Sequence, residues 1–403
     1  MPTYGLDGLA AEISATLVKG CRVIIFVILF WLSATVLFAV YLGYPLSMPV
    51  LAKLFRKPHI QRDATPKVTQ VISAYNEINV IQEKIENSLA LDYPRAQLEI
   101  LVISDACDDG TDEVVQQFND SQVQLKRQDE RGGKSRGLSR FVPQATGEII
   151  VFSDANSMYD KSAIQKLVRH FADPTIGYVV GHQRYVDDRT SLVSESEQAY
   201  WDYEIRLKQY ESDLSSVVGG DGAIYAIRAE LFSELEDDDI NDFVNPLQIV
   251  ARGYRGIFDA EAFCYEESAR SFDGEFRRKT RIVNRAFRGL RRVPAVLNPL
   301  KSGWFAYQIL LHKLLRWFSP YFALGTFFGA LGAIYTGGSE FYVIVLTLQL
   351  SIVGIGLLRF FPPLANVKII LLTYYVCMSN IAAIWGTLKA FNGEKFTIWK
   401  PER

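Results

Sequence analysis

The sequence predicts an α/β domain built on a mostly parallel mixed sheet and carried between membrane-spanning helices. Three observations predict it. Short apolar runs alternate with amphipathic stretches from residue 68 to beyond residue 160. Three of those runs end in polar clusters. Long uncharged apolar runs are confined to the two ends of the chain.

The 403 residues allow two domains, or one domain with membrane segments. Charged residues make up 22% of the chain and the formal net charge is -2, so no nucleic-acid partner is expected. Cys21, Cys107, Cys264 and Cys377 are scattered, with no Cys-x-x-Cys pair. Neither a zinc site nor a disulfide framework is expected, and a reducing, cytoplasmic exposure fits.

Residues 23–42 are almost wholly apolar and uncharged, about the ~20 residues a helix needs to cross a bilayer. The run is too long for a signal-peptide core and no small-residue cleavage site follows it. Lys53, Arg56, Lys57 and Arg62 come after it, whereas Asp7 and Glu12 balance Lys19 and Arg22 before it. The positive-inside rule then sets residues 1–22 outside and the middle of the chain in the cytoplasm. A buried core helix is the plainer alternative. Three further spans are expected at about 320–335, 341–358 and 367–388. Ahead of them, residues 304–318 mix aromatics with His312, Lys313 and Arg316, which suits a helix lying among membrane lipids at the interface. One plus three crossings would leave the C-terminus outside, yet Lys389, Lys395, Lys400 and Arg403 favour the inside. Either one span is re-entrant or the tail is an exception.

The expected organisation is therefore an extracytoplasmic segment 1–22, a membrane helix 23–43 and a linker 44–65. A cytoplasmic domain follows over 66–270, then basic and amphipathic interface helices over 271–319, membrane helices over 320–390 and a tail 391–403. This describes an integral protein of a bacterial inner membrane.

Within the middle region, VTQVISA (68–74), LEILVIS (98–104), VQLKRQ (123–128) and EIIVFSD (148–154) read as strands. Amphipathic stretches beginning near Asn79, Thr111, Lys134 and Lys161 separate them and predict parallel β-α-β units. Ligands of such sheets sit at the carboxyl ends of the strands. SAYNE, SDACDDGT and SDANS stand at those ends. Any one of them could be a mere turn former, but three in succession point to a shared nucleotide site.

Five motifs in order carry a resemblance. They are Ser73-Ala74-Tyr75-Asn76-Glu77, the cluster Asp105…Asp109-Gly110-Thr111, Arg131-Gly132-Gly133-Lys134, Asp154-Ala155-Asn156, and Asn241-Asp242 with its following helix. The chain resembles membrane-associated family 2 glycosyltransferases, the group of cellulose, chitin, hyaluronan and poly-N-acetylglucosamine synthases. The resemblance implies a GT-A-like nucleotide-sugar-binding domain and a nucleotide-sugar donor. It implies that Ala74, Tyr75 and Glu77 line the nucleoside pocket and that Asp105 accepts a hydrogen bond from the base. Glu77 can also complement a helix N-terminus. Lys134 follows two glycines and opposes the macrodipole of its helix, which favours contact with an anion.

Asp154 is the expected metal ligand, with Asn156 as a neutral second donor for Mg2+ or Mn2+, ions that take one or two carboxylates and complete their shell on substrate phosphates. Asp242 holds the family's place for the base that takes the acceptor proton, with Asn241 where relatives often have a second acid. Asp237, Asp238 and Asp239 read as a solvated acidic loop that also caps the helix. Gly220, Asp221 and Gly222 match the acceptor-side segment. In FRRKTRIVNRAFRGLRR (276–292), Arg281 takes the place of the family's diphosphate arginine, with Arg278 second. Ile282 replaces the tryptophan that cradles an acceptor sugar in polymerising relatives, which weakens the case for a long polymer.

The expected activity is inverting transfer from a nucleotide-diphosphate sugar, a UDP-sugar by preference, to a growing polysaccharide or a lipid-linked acceptor. The alternatives are single transfer to polyprenyl phosphate or a lipid-linked oligosaccharide, and a non-catalytic nucleotide-sensing scaffold. Four spans are few for a channel built by one chain, so polymer secretion would require export partners or a homo-oligomer.

Overall fold

A computed structural model of the chain describes residues 23–186, 194–267, 272–365 and 367–398. The chain divides into two compact units, residues 46–312 with 386–403, and residues 1–45 with 313–385.

The larger unit is built on one eight-stranded sheet in the order β3-β2-β1-β4-β7-β6-β8-β5. Its first half is parallel. Strand β1 (Val68–Ala74) lies between β2 (Leu98–Ser104) and β4 (Ile149–Asp154), and β3 (Val123–Arg127) pairs with β2. Strands inside a parallel sheet are covered on both faces and read as continuous apolar runs. Accordingly β2 is buried at every position and β1 at all but one. The connecting helices are α2 (Ile81–Leu89), α3 (Thr111–Gln117) and α4 (Lys134–Phe141). Ile72, Ile81, Ile85, Ile100, Val102 and Val151 belong to one contiguous core.

The second half is mixed. Strand β7 (Tyr225–Arg228) runs antiparallel to β4, and β6 (Ile176–Val186) antiparallel to β7. Strand β8 (Arg255–Glu267) is parallel to β6, and the short β5 (Met158–Tyr159) is antiparallel to β8. Helix α5 (Ala163–Val168) follows β5, α6 (Ser194–Leu214) precedes β7, and α7 (Asn241–Ala251) and α8 (Phe272–Arg292) flank β8 in sequence. The reversal at β7 decides where the site lies. Register pairs Ser73 with Asp154, Ala74 with Ser104 and Phe152 with Tyr225. The carboxyl ends of β1, β2 and β4 and the amino end of β7 therefore share one edge.

The acidic stretch before α7 corrects one expectation. Asp238 and Asp239 are not solvated: they are 0% and 2% exposed. Arg288 Nε lies 2.5 Å from Asp238 Oδ2, Arg292 pairs with both carboxylates, and no side chain caps α7. These arginines project from α8, whose Val283, Ala286, Phe287 and Leu290 are buried.

Among the described residues, four helices are long and apolar enough to cross a membrane: α1 (Val23–Leu54), α9 (Trp304–Tyr335), α10 (Glu340–Phe360) and α11 (Lys368–Phe391). Residues 304–318, expected in the interface, and 320–335, expected to span, form one continuous helix. In the smaller unit Phe30 packs with Ala330, Ala333 and Tyr342, its ring meeting that of Tyr342 edge-on at 5.0 Å. Small residues at the crossing let helices approach closely. Pro320 removes the donor that would close on the Arg316 carbonyl, and Ser319 Oγ donates to that oxygen instead at 2.8 Å.

Candidate functional site

The site grows from the loops at that shared edge. After β1 the chain turns through Asn76, whose φ is +55°. Asn76 Nδ2 donates to Asp108 Oδ1 at 2.7 Å, and Asp108 N returns a bond to Asn76 Oδ1 at 3.1 Å. Glu77 N donates to Thr111 Oγ1 at 2.8 Å. The first two motifs thus lock onto each other across β1 and β2. Tyr75 lies under the Arg131 guanidinium, 3.7 Å from the ring centroid, in a cation–π contact.

Asp105 organises the glycine loop. Its Oδ1 accepts from Gln128 Nε2 at 2.7 Å, Gly132 N at 2.8 Å and Gly133 N at 2.9 Å, and its Oδ2 accepts from Gly133 N at 3.0 Å. An ionised carboxylate offers about four acceptor positions, so Oδ2 keeps capacity for another donor. Gly133 has φ +88°, and a methyl there would lie 2.5 Å from the Thr397 carbonyl oxygen. The C-terminal stretch therefore packs directly on this loop, and only glycine fits.

The turn aims Lys134 along the first turn of α4, where its Nζ reaches Asp154 Oδ1 at 2.6 Å. On the far side, Gly220 N donates to the Asp242 carbonyl, binding the acceptor-side segment to the start of α7. A methyl on Gly222 would lie 3.5 Å from Asp154 Oδ2 and 3.5 Å from Asp242 Oδ2. The two carboxylates thus flank one small space kept open by the missing side chain. Burial pushes the Asp242 carboxyl above its ordinary range, opposed by Lys134 and reinforced by Asp221 and Asp154. Asp221 is likewise raised by burial and partly offset by Lys208, whose Nζ lies 3.8 Å from Oδ2.

The structure therefore brings Lys134, Asp154, Gly220, Asp221, Gly222 and Asp242 together, with Asp105 and Tyr75 on the adjoining loops. Asn241 has a different place: it is buried and donates to the Tyr225 hydroxyl at 2.8 Å. Asn156 Nδ2 donates to Glu266 Oε1 at 2.8 Å. Arg278 is exposed and paired with Glu275 at 2.7 Å, while Arg281 is half-buried on the same helix. Arg285, one turn beyond Arg281, is also tied to the site. It donates to the Asp238 carbonyl at 3.0 Å and to Ser135 Oγ at 3.4 Å, and it interacts electrostatically with Asp242.

Beyond Arg285, sequence reading missed Lys84, Lys208, Gln183 and Glu266. Lys84 is fully buried, donates to the Ser157 carbonyl and lies 4.1 Å from the Tyr159 ring centroid; burial brings its pKa down to about 7. A lysine at helical spacing among apolar residues carries no signal of that environment. Among the described residues, no group of three or more His, Cys, Asp or Glu side chains is disposed to hold a metal ion.

Residues 66–284, more than half of the chain, match the family described as glycosyltransferase like family 2. The chain is 23% identical over 297 residues to a poly-beta-1,6-N-acetyl-D-glucosamine synthase of Staphylococcus aureus (strain MSSA476), a match spanning 72% of this chain and 69% of that protein. It is 27% identical over 163 residues to a beta-monoglucosyldiacylglycerol synthase of Synechocystis sp., covering 40% of this chain and 33% of that protein. Among solved structures, a mannosyltransferase from Pyrobaculum calidifontis in complex with GDP-Man and Mn2+ superposes with a TM-score of 0.69 at 23% identity, over 91% of this chain and 100% of that one. That likeness is one of fold.

Proposed function

For a chain that belongs to glycosyltransferase like family 2, we propose inverting transfer of a sugar from a nucleotide diphosphate, a UDP-sugar by preference, to a saccharide or lipid-linked acceptor at the cytoplasmic membrane face. The observation that carries this reading is the space beside Gly222, which Asp154 Oδ2 and Asp242 Oδ2 approach from two sides.

In this reading Ala74, Tyr75 and Glu77 border the nucleoside, and Asp105 keeps one acceptor position for the base. Lys134 lies where the diphosphate must pass, within reach of Asp154. Asp242 takes the proton of the acceptor hydroxyl as its oxygen bonds to the anomeric carbon. The bond from that carbon to the diphosphate breaks, and the nucleotide leaves with the electron pair. A raised carboxyl pKa suits a group that must accept a proton near neutral pH.

The donor set fits a hard divalent cation bound with the nucleotide: Asp154 offers an anionic oxygen, Gly222 leaves room beside it, and substrate phosphates complete such shells. A bound Mg2+ or Mn2+ would neutralise charge developing on the leaving diphosphate. Asp154 is the residue that would hold it. Asn156 and Asn241 both have structural partners, Glu266 and Tyr225, so neither amide argues against turnover.

Single transfer to a lipid-linked acceptor is favoured by one observation. An apolar groove of about 450 Å3 is lined by Leu297, Pro299, Trp304, Tyr307 and Leu310, at the start of the membrane-length helix α9. Its wall, Pro294–Leu297, packs against α7, the helix that carries Asp242. Nucleotide release from a panel of UDP- and GDP-sugars, by the full chain in membranes with and without Mn2+, tests the activity. Metal-dependent release is expected. No turnover with any donor, alongside intact nucleotide binding, would refute it, and product length on a gel separates polymer from single transfer.

A further inference from the structure

The motif Asp154-Ala155-Asn156 offers one carboxylate where two would bind a divalent cation more strongly. The pairing of β5 with β8 brings a second one to the same place. Met158 pairs with Tyr265, and one step along that register sets Ser157 opposite Glu266. Glu266 reaches back over the turn: Asn156 Nδ2 donates to its Oε1 at 2.8 Å, and Ser157 Oγ to its Oε2 at 3.4 Å. Gln183 Nε2 on β6 also donates to Oε2. All three partners are neutral, so they orient the carboxylate without cancelling its charge. Its principal electrostatic neighbour is Asp154. Beneath the turn, Lys84 holds the Ser157 carbonyl and fixes the backbone between the two acids.

We propose that Glu266, carried in from β8, supplies the second carboxylate of the divalent-metal site, with Asn156 serving to orient Glu266 rather than to ligate the ion. The inference rests on the proposed metal-dependent reading of Asp154. The Asp154 charge acts unfavourably on the Glu266 carboxylate, and a divalent cation shared with the nucleotide phosphates relieves that repulsion. A chain that lacks the second acid of the motif recovers its charge from a residue 110 positions away in sequence.

The test is Mn2+ affinity, read from loss of the free-ion EPR signal, on the full-length protein in nanodiscs with saturating UDP or GDP. In Glu266→Gln we expect Mn2+ to bind at least tenfold more weakly, with metal-free nucleotide affinity unchanged. Adding Asn156→Asp in the same chain should restore Mn2+ affinity to within about threefold of wild type, a rescue that a purely structural Glu266 would not show. Glu266→Asp keeps the charge and should fall between the two, and it serves as the readout if the Gln variant does not fold. Unchanged Mn2+ affinity in Glu266→Gln or Glu266→Asp, or loss without rescue, overturns the inference. Absence of nucleotide-dependent Mn2+ binding to the wild type would instead sink the metal-dependent reading beneath it.

Discussion

Lys134 Nζ and Asp154 Oδ1 meet at 2.6 Å, so the cation that opens α4 closes onto the carboxylate that ends β4. The pair links the glycine loop to the strand end and sets the charge felt by Asp242, which Lys134 pulls down and Asp154 pushes up. Replacing Lys134 with Met removes a charge that stabilises the ionised Asp242 carboxylate and should raise the acid limb of the pH–rate profile further. It should also weaken nucleotide binding severalfold, measured by calorimetry.

Asp242→Asn keeps the shape of the side chain and removes its ability to take a proton. Transfer should fall by about a hundred- to ten-thousand-fold, the usual range for losing a general base. Nucleotide affinity should stay within about twofold, because no nucleotide-binding element is altered. Normal turnover would exclude Asp242 as the base.

The acid limb itself is informative. Burial raises the Asp242 carboxyl, and Asp221 raises it further. With Asp242 as the base of the proposed transfer the active form is deprotonated, so rate should fall as pH drops through a pKa above the ordinary carboxylate range. Asp221→Asn removes a like charge, stabilises the ionised form and should move that limb to lower pH. An unmoved limb would show that Asp221 does not act on the base.

Gly222→Ala adds a methyl at ordinary van der Waals distance, 3.5 Å from both Asp154 Oδ2 and Asp242 Oδ2. Tm should change by less than about 2 °C, since no backbone strain or overlap is created. The methyl fills the space between the two carboxylates, so kcat should fall about a hundredfold, as expected when reacting groups are displaced by an ångström. Full activity would place the reaction elsewhere.

Asp238→Ala should destabilise the larger unit by about 3–5 kcal/mol, the cost of leaving a buried ion-pair partner alone. Asp238 is fully buried between Arg288 and Arg292. Thermal unfolding in detergent reads the loss directly.

The parallel half of the sheet was legible because buried parallel strands are uniform apolar runs. VTQVISA and LEILVIS are β1 and β2 to the residue, and β3 and β4 differ from expectation by one residue at one end. The other half was not. β6 and β8 carry His182, Gln183, Arg184 and Glu266 at their site-facing ends, which breaks both alternation and apolar continuity. Asp154 and Asp242 were readable because each stands at an element boundary with its own local pattern. Glu266 and Arg285 act on those residues from segments more than 40 positions away, and nothing local marks them. Asp237, Asp238 and Asp239 misled for the same reason: their arginine partners stand some 50 positions downstream, so the stretch reads as solvated when two of its members are buried.

The contact between Gly133 and the Thr397 carbonyl orders events in time. Thr397 follows the four membrane-length helices of the described residues. During synthesis the glycine loop gains this neighbour only after the last of those helices has left the ribosome. A half-made chain, or one whose final helix has failed to insert, therefore holds Lys134 on an unfinished loop. Completion of the glycine loop is coupled in this way to completion of the last membrane-length helix.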